Sequence, residues 1–216
     1  MRVERRYNGP ASSGNGGVTC GLLAQTVDAE AVEVTLRRPP PLERELRVQD
    51  GQLYDGEALV ASAVPAQVSP DVPAPVRLDE ARAAQTGYSG LQDHPFPTCF
   101  VCGTERDDGL GLRPGPVGSG VACTWTPYDD DPVMVWAALD CPGGWSADLP
   151  GRPMVLGRMA LRLLHVPVPG EPHVVQGWTT GGEGRKTTTG SAVHDASGTL
   201  LAVARATWIA VDPATL

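Results

Sequence analysis

The chain has 216 residues, 41% of them hydrophobic and 19% charged, which is enough to build one large or two small globular domains with their own cores. A formal net charge of −8 argues against nucleic acid as a partner, so any anionic ligand would have to meet a local basic patch. The apolar runs are too short to span a membrane, and no apolar core of a secretory signal follows the basic residues 1–10. Because five scattered cysteines do not form a dense, even disulfide set, we expect a cytoplasmic protein with reduced thiols.

The first 68 residues read as a short strand, a glycine-rich turn, one apolar helix and several strands. The turn and helix lie in ASSGNGGVTCGLLAQTV (11–27), with the helix expected at 18–27. Alternating and β-branched residues then predict strands at 31–39, 43–50, 52–56 and 58–66. Residues 69–97 are rich in proline and polar residues and read as a linker, with one helical piece around 78–84.

The second half repeats this order. A strand is predicted at 120–128 and an apolar helix at 132–141, followed by strands at 155–168, 173–180, 187–195 and 199–211. In the segment CPGGW (141–145), Pro142 is expected to stop the helix, and Gly143 and Gly144 to reverse the chain.

Superposing the two predicted helices needs a shift of 116 residues, which lays 20–26 over 136–142. This shift matches Asn15 with Asp131 and Ala24 with Asp140, while the closing strands match at a shift of 142. The shared order predicts a diverged duplication: a first repeat at 1–68, a linker at 69–97 and a second repeat at 98–216.

One apolar helix wrapped by an antiparallel sheet is the hotdog arrangement. Residues 182–211 resemble the closing strands of hotdog-fold acyl-CoA thioesterases. SGNGGVTCGLLAQ (13–25) is similar to the helix start of the phenylacetate-pathway type, where His-Gly-Gly opens the helix, and RRPPPLERELRV (37–48) resembles the strand–turn–strand that follows. The resemblance implies an α+β double hotdog, in which two helices are each wrapped by antiparallel strands and the halves pair as a pseudo-dimer with a continuous sheet.

The glycine turn is not a phosphate loop, because no lysine follows Gly17. It is either a helix cap built on Ser13 or Asn15, or a site where Asn15, Gly16 and Gly17 hold a thioester carbonyl at the positive end of the helix. Asn15 stands where the related thioesterases often carry histidine. An amide can donate a hydrogen bond but cannot act as a base near neutral pH.

Asp140 is the candidate base or nucleophile. It lies in the apolar run 133–141, where an unpaired buried carboxylate is costly. The resemblance implies that a carboxylate on one helix faces the glycine turn of the other, which would form a composite site with Asn15 and give Asp140 a raised pKa. The alternative is an aspartate that caps the end of the helix.

Five further side chains are candidates for substrate binding. Arg185 and Lys186 could hold the phosphates of coenzyme A, with a solvated strand edge as the alternative, and Arg37 and Arg38 form a second basic patch. Trp145 is a candidate for the acyl pocket, with a core position as the commoner outcome.

Cys99 and Cys102 form a C-x-x-C pair, with His94 five residues upstream of the first. Zinc needs four ligands, so Cys123 or Cys141 would have to complete the set. The favoured interpretation is no metal and two reduced cysteines that pack the linker against the second half.

Together these features predict a hydrolase of an acyl-CoA or related acyl thioester, with coenzyme A as part of the substrate and no other cofactor. The alternatives are a non-catalytic double hotdog that binds acyl-CoA or a small ligand and, ranked last, a dehydratase. The expected partner is a small acyl thioester, with no nucleic acid or membrane, and a homodimer of the double hotdog is left open.

Overall fold

The computed structural model describes residues 1–68 and 71–212. Ser69 and Pro70, which begin the predicted linker, and residues 213–216, which end the predicted second repeat, lie outside the described residues. Two helices, α1 (Gly16–Ala24) and α3 (Pro132–Trp145), pack against each other and against one large sheet. A shorter helix, α2 (Leu78–Ala84), packs on strands of the second half. None of the helices in these two ranges is both long and apolar enough to cross a membrane.

The sheet has ten strands, and every neighbouring pair is antiparallel. The first half contributes β1 (Ala31–Leu36), β2 (Arg47–Gln49), β3 (Gln52–Asp55) and β4 (Ala58–Pro65). The second half contributes β5 (Gly115–Val117), β6 (Gly120–Trp125), β7 (Met154–Leu163), β8 (His173–Glu183), β9 (Lys186–His194) and β10 (Leu200–Ala210).

The strand order is β2-β3-β4-β1-β7-β10-β9-β8-β6-β5. The halves meet between β1 and β7, where Val34 lies opposite Met159. Outward from this β1–β7 junction, the first half runs β1, β4, β3, β2, and the second half runs β7, β10, β9, β8. In each half, the strand that follows the helix therefore comes first, then the last strand, then the two strands before it. The structure therefore confirms the predicted α+β double hotdog with a continuous sheet.

The residues that cap the two helices are 116 residues apart, which is the shift that superposes the helices in the sequence. The Asn15 side chain caps α1 by accepting from Val18 N at 2.9 Å, and Asp131 caps α3 by accepting from Val133 N at 2.9 Å. At the other end of each half, β4 and β10 begin at residues 58 and 200, which is the 142-residue shift.

Two local predictions at the start of the chain are wrong. The predicted strand before the glycine turn is instead a 3-10 turn at Arg5–Tyr7 and an isolated bridge between Asn8 and Gly14. The helix begins at residue 16, because the Asn15 side chain caps it there, and it ends at residue 24. No strand therefore precedes α1 to pair at the edge of the first half, whereas β6 does so in the second.

The prediction that Pro142 ends the second helix is also wrong, since α3 continues to Trp145. The reason is the sheet beneath it. A Cβ atom at Gly177 would lie 2.2 Å from the carbonyl oxygen of Pro142, and one at Gly143 would lie 2.8 Å from the Thr189 hydroxyl. Close packing of small residues on the sheet compensates for the loss of the one helix hydrogen bond that proline cannot donate.

Candidate active site

The site is built where α1 and α3 touch. A Cβ atom at Gly17 would lie 2.6 Å from the carbonyl oxygen of Trp136, and one at Gly21 would lie 3.0 Å from the Cα atom of Val133. These two glycines are four residues apart and therefore lie on one face of α1. Their missing side chains allow the helix backbones to approach closely, and this contact places Asp140 beside the start of α1.

Asp140 is buried, with 2% of its surface exposed. Its Oδ2 atom accepts hydrogen bonds from Gly17 N at 3.0 Å and from Asn15 Nδ2 at 3.1 Å. Its Oδ1 atom has no partner in the described part of the chain. Burial raises the pKa of Asp140 to about 7, although the hydrogen bonds from Gly17 and Asn15 oppose the rise. The carboxyl group can therefore gain or lose a proton near neutral pH.

Asn15 uses both ends of its amide. Its Oδ1 atom caps α1, while Nδ2 donates to Asp140 and also contacts Cys99 Sγ at 3.8 Å. The N–H of Gly17 is occupied by Asp140, whereas the N–H of Gly16 has no acceptor among residues 1–68 and 71–212. Of the backbone donors predicted to hold a carbonyl, Gly16 is therefore the one that remains available.

A cleft of about 350 Å³ opens onto these groups, and Asn15, Gly16 and Asp140 line it. Much of its remaining wall is apolar and comes from both halves of the chain: Leu36, Phe96, Leu149, Met154, Leu156 and Trp208. Such a cleft suits an apolar chain whose polar end reaches the carboxyl group.

Three arginines, Arg37, Arg38 and Arg185, also line the cleft, and all three are exposed. Asp140 is the one acidic side chain among the described lining residues. In a chain of net charge −8, this local positive charge favours an anionic ligand. Lys186, predicted to act with Arg185, begins β9 and does not line the cleft, whereas Arg185 lies in the turn just before that strand.

Trp145 lies in the core and does not line the cleft. Because α3 continues through this residue, the indole ring packs edge-on against Tyr88, with ring centres 4.6 Å apart, and against His94 at 5.0 Å. Trp145 is therefore not among the described residues that line the cleft, where the sequence placed it as a candidate.

The cysteines of the C-x-x-C pair meet a third thiol. The Sγ atoms of Cys99, Cys102 and Cys141 all lie within 4.8 Å of one another. His94, which sequence placed with them, instead bonds to the backbone: its Nε2 to Cys102 O at 3.0 Å, and its Nδ1 from Phe96 N at 3.0 Å. Both ring nitrogens are engaged, so the structure removes His94 from the candidate metal ligands.

The second position related by the 116-residue shift has lost its chemistry. Ala24 stands where the second half carries Asp140, and Val133 stands where the first half carries Gly17. Within residues 1–68 and 71–212, the glycine turn of α1 therefore meets an acid on α3, and the related positions do not form a second such pair.

The continuous sheet and its two packed helices define a protein of the double hotdog class. No protein-family model and no curated protein matches the chain. Solved structures do: it is similar to the TesB protein of Mycobacterium avium subspecies paratuberculosis, with 12% identity, a TM-score of 0.60, and 94% of this chain and 89% of the other covered.

Two other solved structures agree over nearly the whole chain. A candidate thioesterase from Novosphingobium aromaticivorans has 15% identity and a TM-score of 0.63, with 98% and 94% of the two chains covered. Acyl-CoA thioesterase II of Mycobacterium marinum has 13% identity and a TM-score of 0.57, with 93% and 91% covered. At these identities the similarity establishes the fold.

Proposed function

We propose that the protein hydrolyses an acyl-CoA or a related acyl thioester. The observation that carries the proposal is the Asp140 carboxyl group, which has one oxygen anchored on α1 and the other without a partner, in a cleft with an apolar wall and arginines. The fold shared with a protein described as an acyl-CoA thioesterase supports it.

In this proposal the thioester carbonyl oxygen accepts a hydrogen bond from Gly16 N–H, at the positive end of α1. The unpartnered Oδ1 of Asp140 takes a proton from water as the water oxygen attacks the carbonyl carbon. Collapse of the tetrahedral intermediate breaks the carbon–sulfur bond. The departing thiolate takes the proton from Asp140, so the products are a carboxylic acid and a free thiol.

Direct attack by Oδ1 is the second chemical route, giving a mixed anhydride on Asp140 that water then opens. Rapid quenching of a single turnover, followed by mass analysis of the peptide that contains Asp140, separates the routes. An acyl adduct on that peptide identifies direct attack, and its absence during thiol release identifies water activation.

The proposal is tested by incubating the protein with a panel of acyl-CoAs of different chain lengths and measuring free thiol. A hydrolase releases thiol in proportion to enzyme, and Asp140→Asn serves as the matched inactive control. Failure of every acyl-CoA and acyl-carrier substrate to release thiol would overturn it.

A binding protein without catalysis is the second candidate, and one observation favours it. The amide of Asn15 and the N–H of Gly17 already bond to Asp140, so two of the predicted carbonyl donors are occupied. Acyl-CoA would raise the melting temperature of such a protein, but no thiol would be released. The described cleft lining contains no histidine, which disfavours a dehydratase that pairs histidine with an acid.

The arginines give a prediction about substrate affinity. Arg185→Glu and Arg37→Glu are each expected to raise KM for acyl-CoA about tenfold with little change in kcat, because each reversal repels the phosphates of coenzyme A. The matched control is Lys186→Glu, an equally exposed neighbour outside the cleft, which should leave KM within about twofold. With an acyl-pantetheine substrate, which lacks those phosphates, all three variants should match the wild type.

The acidity of Asp140 gives a prediction about pH. Since the carboxylate is the active form, kcat/KM should rise about tenfold per pH unit below pH 7 and level off above it. The profile is measured with a chelator present, so that no metal ion binds the neighbouring cysteines. A midpoint near the ordinary aspartate value of 3.8 would show that Asp140 is not the group that titrates.

A further inference from the structure

The three-thiol cluster has no part in the hydrolysis described above, yet it is organised as a ligand set. Cys99, Cys102 and Cys141 are 3–6% exposed, and the Sγ atoms of Cys99 and Cys141 are 3.8 Å apart. The other two cysteines, Cys20 and Cys123, are buried elsewhere and do not join the cluster. We propose that Cys99, Cys102 and Cys141 bind a Zn²⁺ ion whose fourth coordination position faces the cleft.

The spacing of the sulfurs fits this ion. Zinc–sulfur bonds of about 2.3 Å in a tetrahedral arrangement place two sulfurs about 3.8 Å apart. The separation between Cys99 and Cys141 already equals this value. A disulfide between the same two residues would require the sulfurs to approach to about 2.05 Å, a much larger movement within a packed core.

The backbone holds the first two thiols in a tight turn. Gly103 N–H donates to the carbonyl oxygen of Cys99 at 2.8 Å, and a Cβ atom at Gly103 would lie 2.6 Å from that same oxygen. The two residues between the cysteines, Phe100 and Val101, are completely buried and anchor the turn in the core. The third thiol comes from α3, so all three donors stand on packed elements before an ion arrives.

Hydrogen bonding at the cluster also suits thiolate ligands. Asn15 Nδ2 lies 3.8 Å from Cys99 Sγ and is placed to donate to it, as the partners of metal-bound sulfurs do. Each thiol that binds as a thiolate releases its proton to solvent, so three thiolates and Zn²⁺ leave one net negative charge.

The part of the chain that the structure describes supplies no fourth ligand atom to the three sulfurs. His94 is engaged by backbone groups at both ring nitrogens, as described above. All three cysteines line the cleft that holds Asp140, so a water molecule or a cleft ligand can complete the tetrahedron. Zinc sites that keep one position open in this way are typical of sites that meet a ligand.

To test this, the reduced, metal-free protein is loaded with Zn²⁺ or Co²⁺ and dialysed against metal-free buffer. We expect one ion retained per chain. The Co²⁺ form should show thiolate-to-cobalt charge transfer with an intensity that corresponds to three sulfurs, and tetrahedral visible bands. Cys141→Ser and Cys99→Ser should lose the ion at least about tenfold more readily, whereas Cys123→Ser, the matched buried control, should keep it.

Asp140→Asn should also keep the ion, which separates this inference from the proposed hydrolysis. Should a serine variant not fold, the cobalt spectrum of the wild-type protein alone decides the number of sulfur ligands. Three results would overturn the proposal: no ion retained after dialysis, retention by Cys141→Ser equal to that of the wild type, or a cobalt spectrum without sulfur charge transfer. A Cys99–Cys141 disulfide in protein that takes up no metal would identify a redox pair in its place.

Discussion

Asp140→Asn is expected to lower thioester hydrolysis by at least about 10³-fold in kcat while the chain remains folded. An amide cannot take a proton from water or attack a carbonyl near neutral pH. Its oxygen can still accept from Gly17 N and Asn15 Nδ2, so the contact between α1 and α3 survives. The measurements are thiol release with the best acyl-CoA of the panel and the melting temperature of each protein.

The same substitution should change how stability depends on pH. Burial raises the pKa of Asp140 from 3.8 to about 7, so the native state holds this proton more tightly than the unfolded chain. The resulting stabilisation is complete below pH 4 and is lost as pH rises through about 7, on the order of 4 kcal/mol. Asp140→Asn lacks this loss. The free energy of unfolding of Asp140→Asn, relative to that of the wild type, should therefore increase between pH 5 and pH 8.

Asp195 provides a control of the opposite sign. Hydrogen bonds from Ser197, and then from Thr199, lower the pKa of Asp195 to about 2, so its contribution is complete above the ordinary value of 3.8. Asp195→Asn should therefore cost the same at pH 5 and pH 8. A stability difference for Asp140→Asn that is equally flat, or hydrolysis retained in that variant, would contradict the assignment of Asp140.

Much of this site could be predicted from the sequence because two signals are local. A carboxylate within the apolar run 133–141 is costly unless it has a role, and the glycine turn before an apolar run marks a helix start. The 116-residue shift then related the two helices. The continuous sheet was implied by the resemblance to hotdog-fold thioesterases, whereas the order of its strands comes from the structure.

What the sequence could not provide are contacts between distant segments. The sheet keeps α3 helical past Pro142 because Gly177, 35 residues later, admits its carbonyl oxygen, and no feature of CPGGW indicates this. Cys141 joins Cys99 across 42 residues, and the sequence named Cys141 and Cys123 as possible additional thiols without distinguishing between them. The sequence places Gly17 in a helix cap or at a thioester carbonyl, whereas its four-residue spacing from Gly21 is the feature that indicates close helix packing.

Gly17→Ala is expected to cost about 3 kcal/mol of folding stability and to abolish hydrolysis. The added methyl group would lie 2.6 Å from the carbonyl oxygen of Trp136, 2.7 Å from the Cβ atom of Asp140 and 3.0 Å from the Cα atom of Ala137. Two of these contacts involve α3 backbone, which cannot rotate away, so the helices must separate. Urea unfolding and thiol release measure the two effects.

Two neighbouring glycines calibrate this result. Gly21→Ala meets α3 at 3.0 Å and should cost less, because a shift of a few tenths of an ångström relieves it. The methyl group added by Gly16→Ala would lie 2.8 Å from both the Cβ and the Cδ2 atom of Leu156, which lines the cleft. A new rotamer moves only Cδ2, so the start of α1 must also shift away from β7, and both hydrolysis and stability should fall. Equal stability losses at all three positions would mean that general helix strain, and not the α1–α3 contact, sets the cost. Loss of hydrolysis in Gly17→Ala with unchanged stability would instead mean that the added methyl group blocks the substrate without separating the helices. The larger loss at Gly17 than at Gly21 therefore tests whether the close approach of the two helices is what holds Asp140 in place.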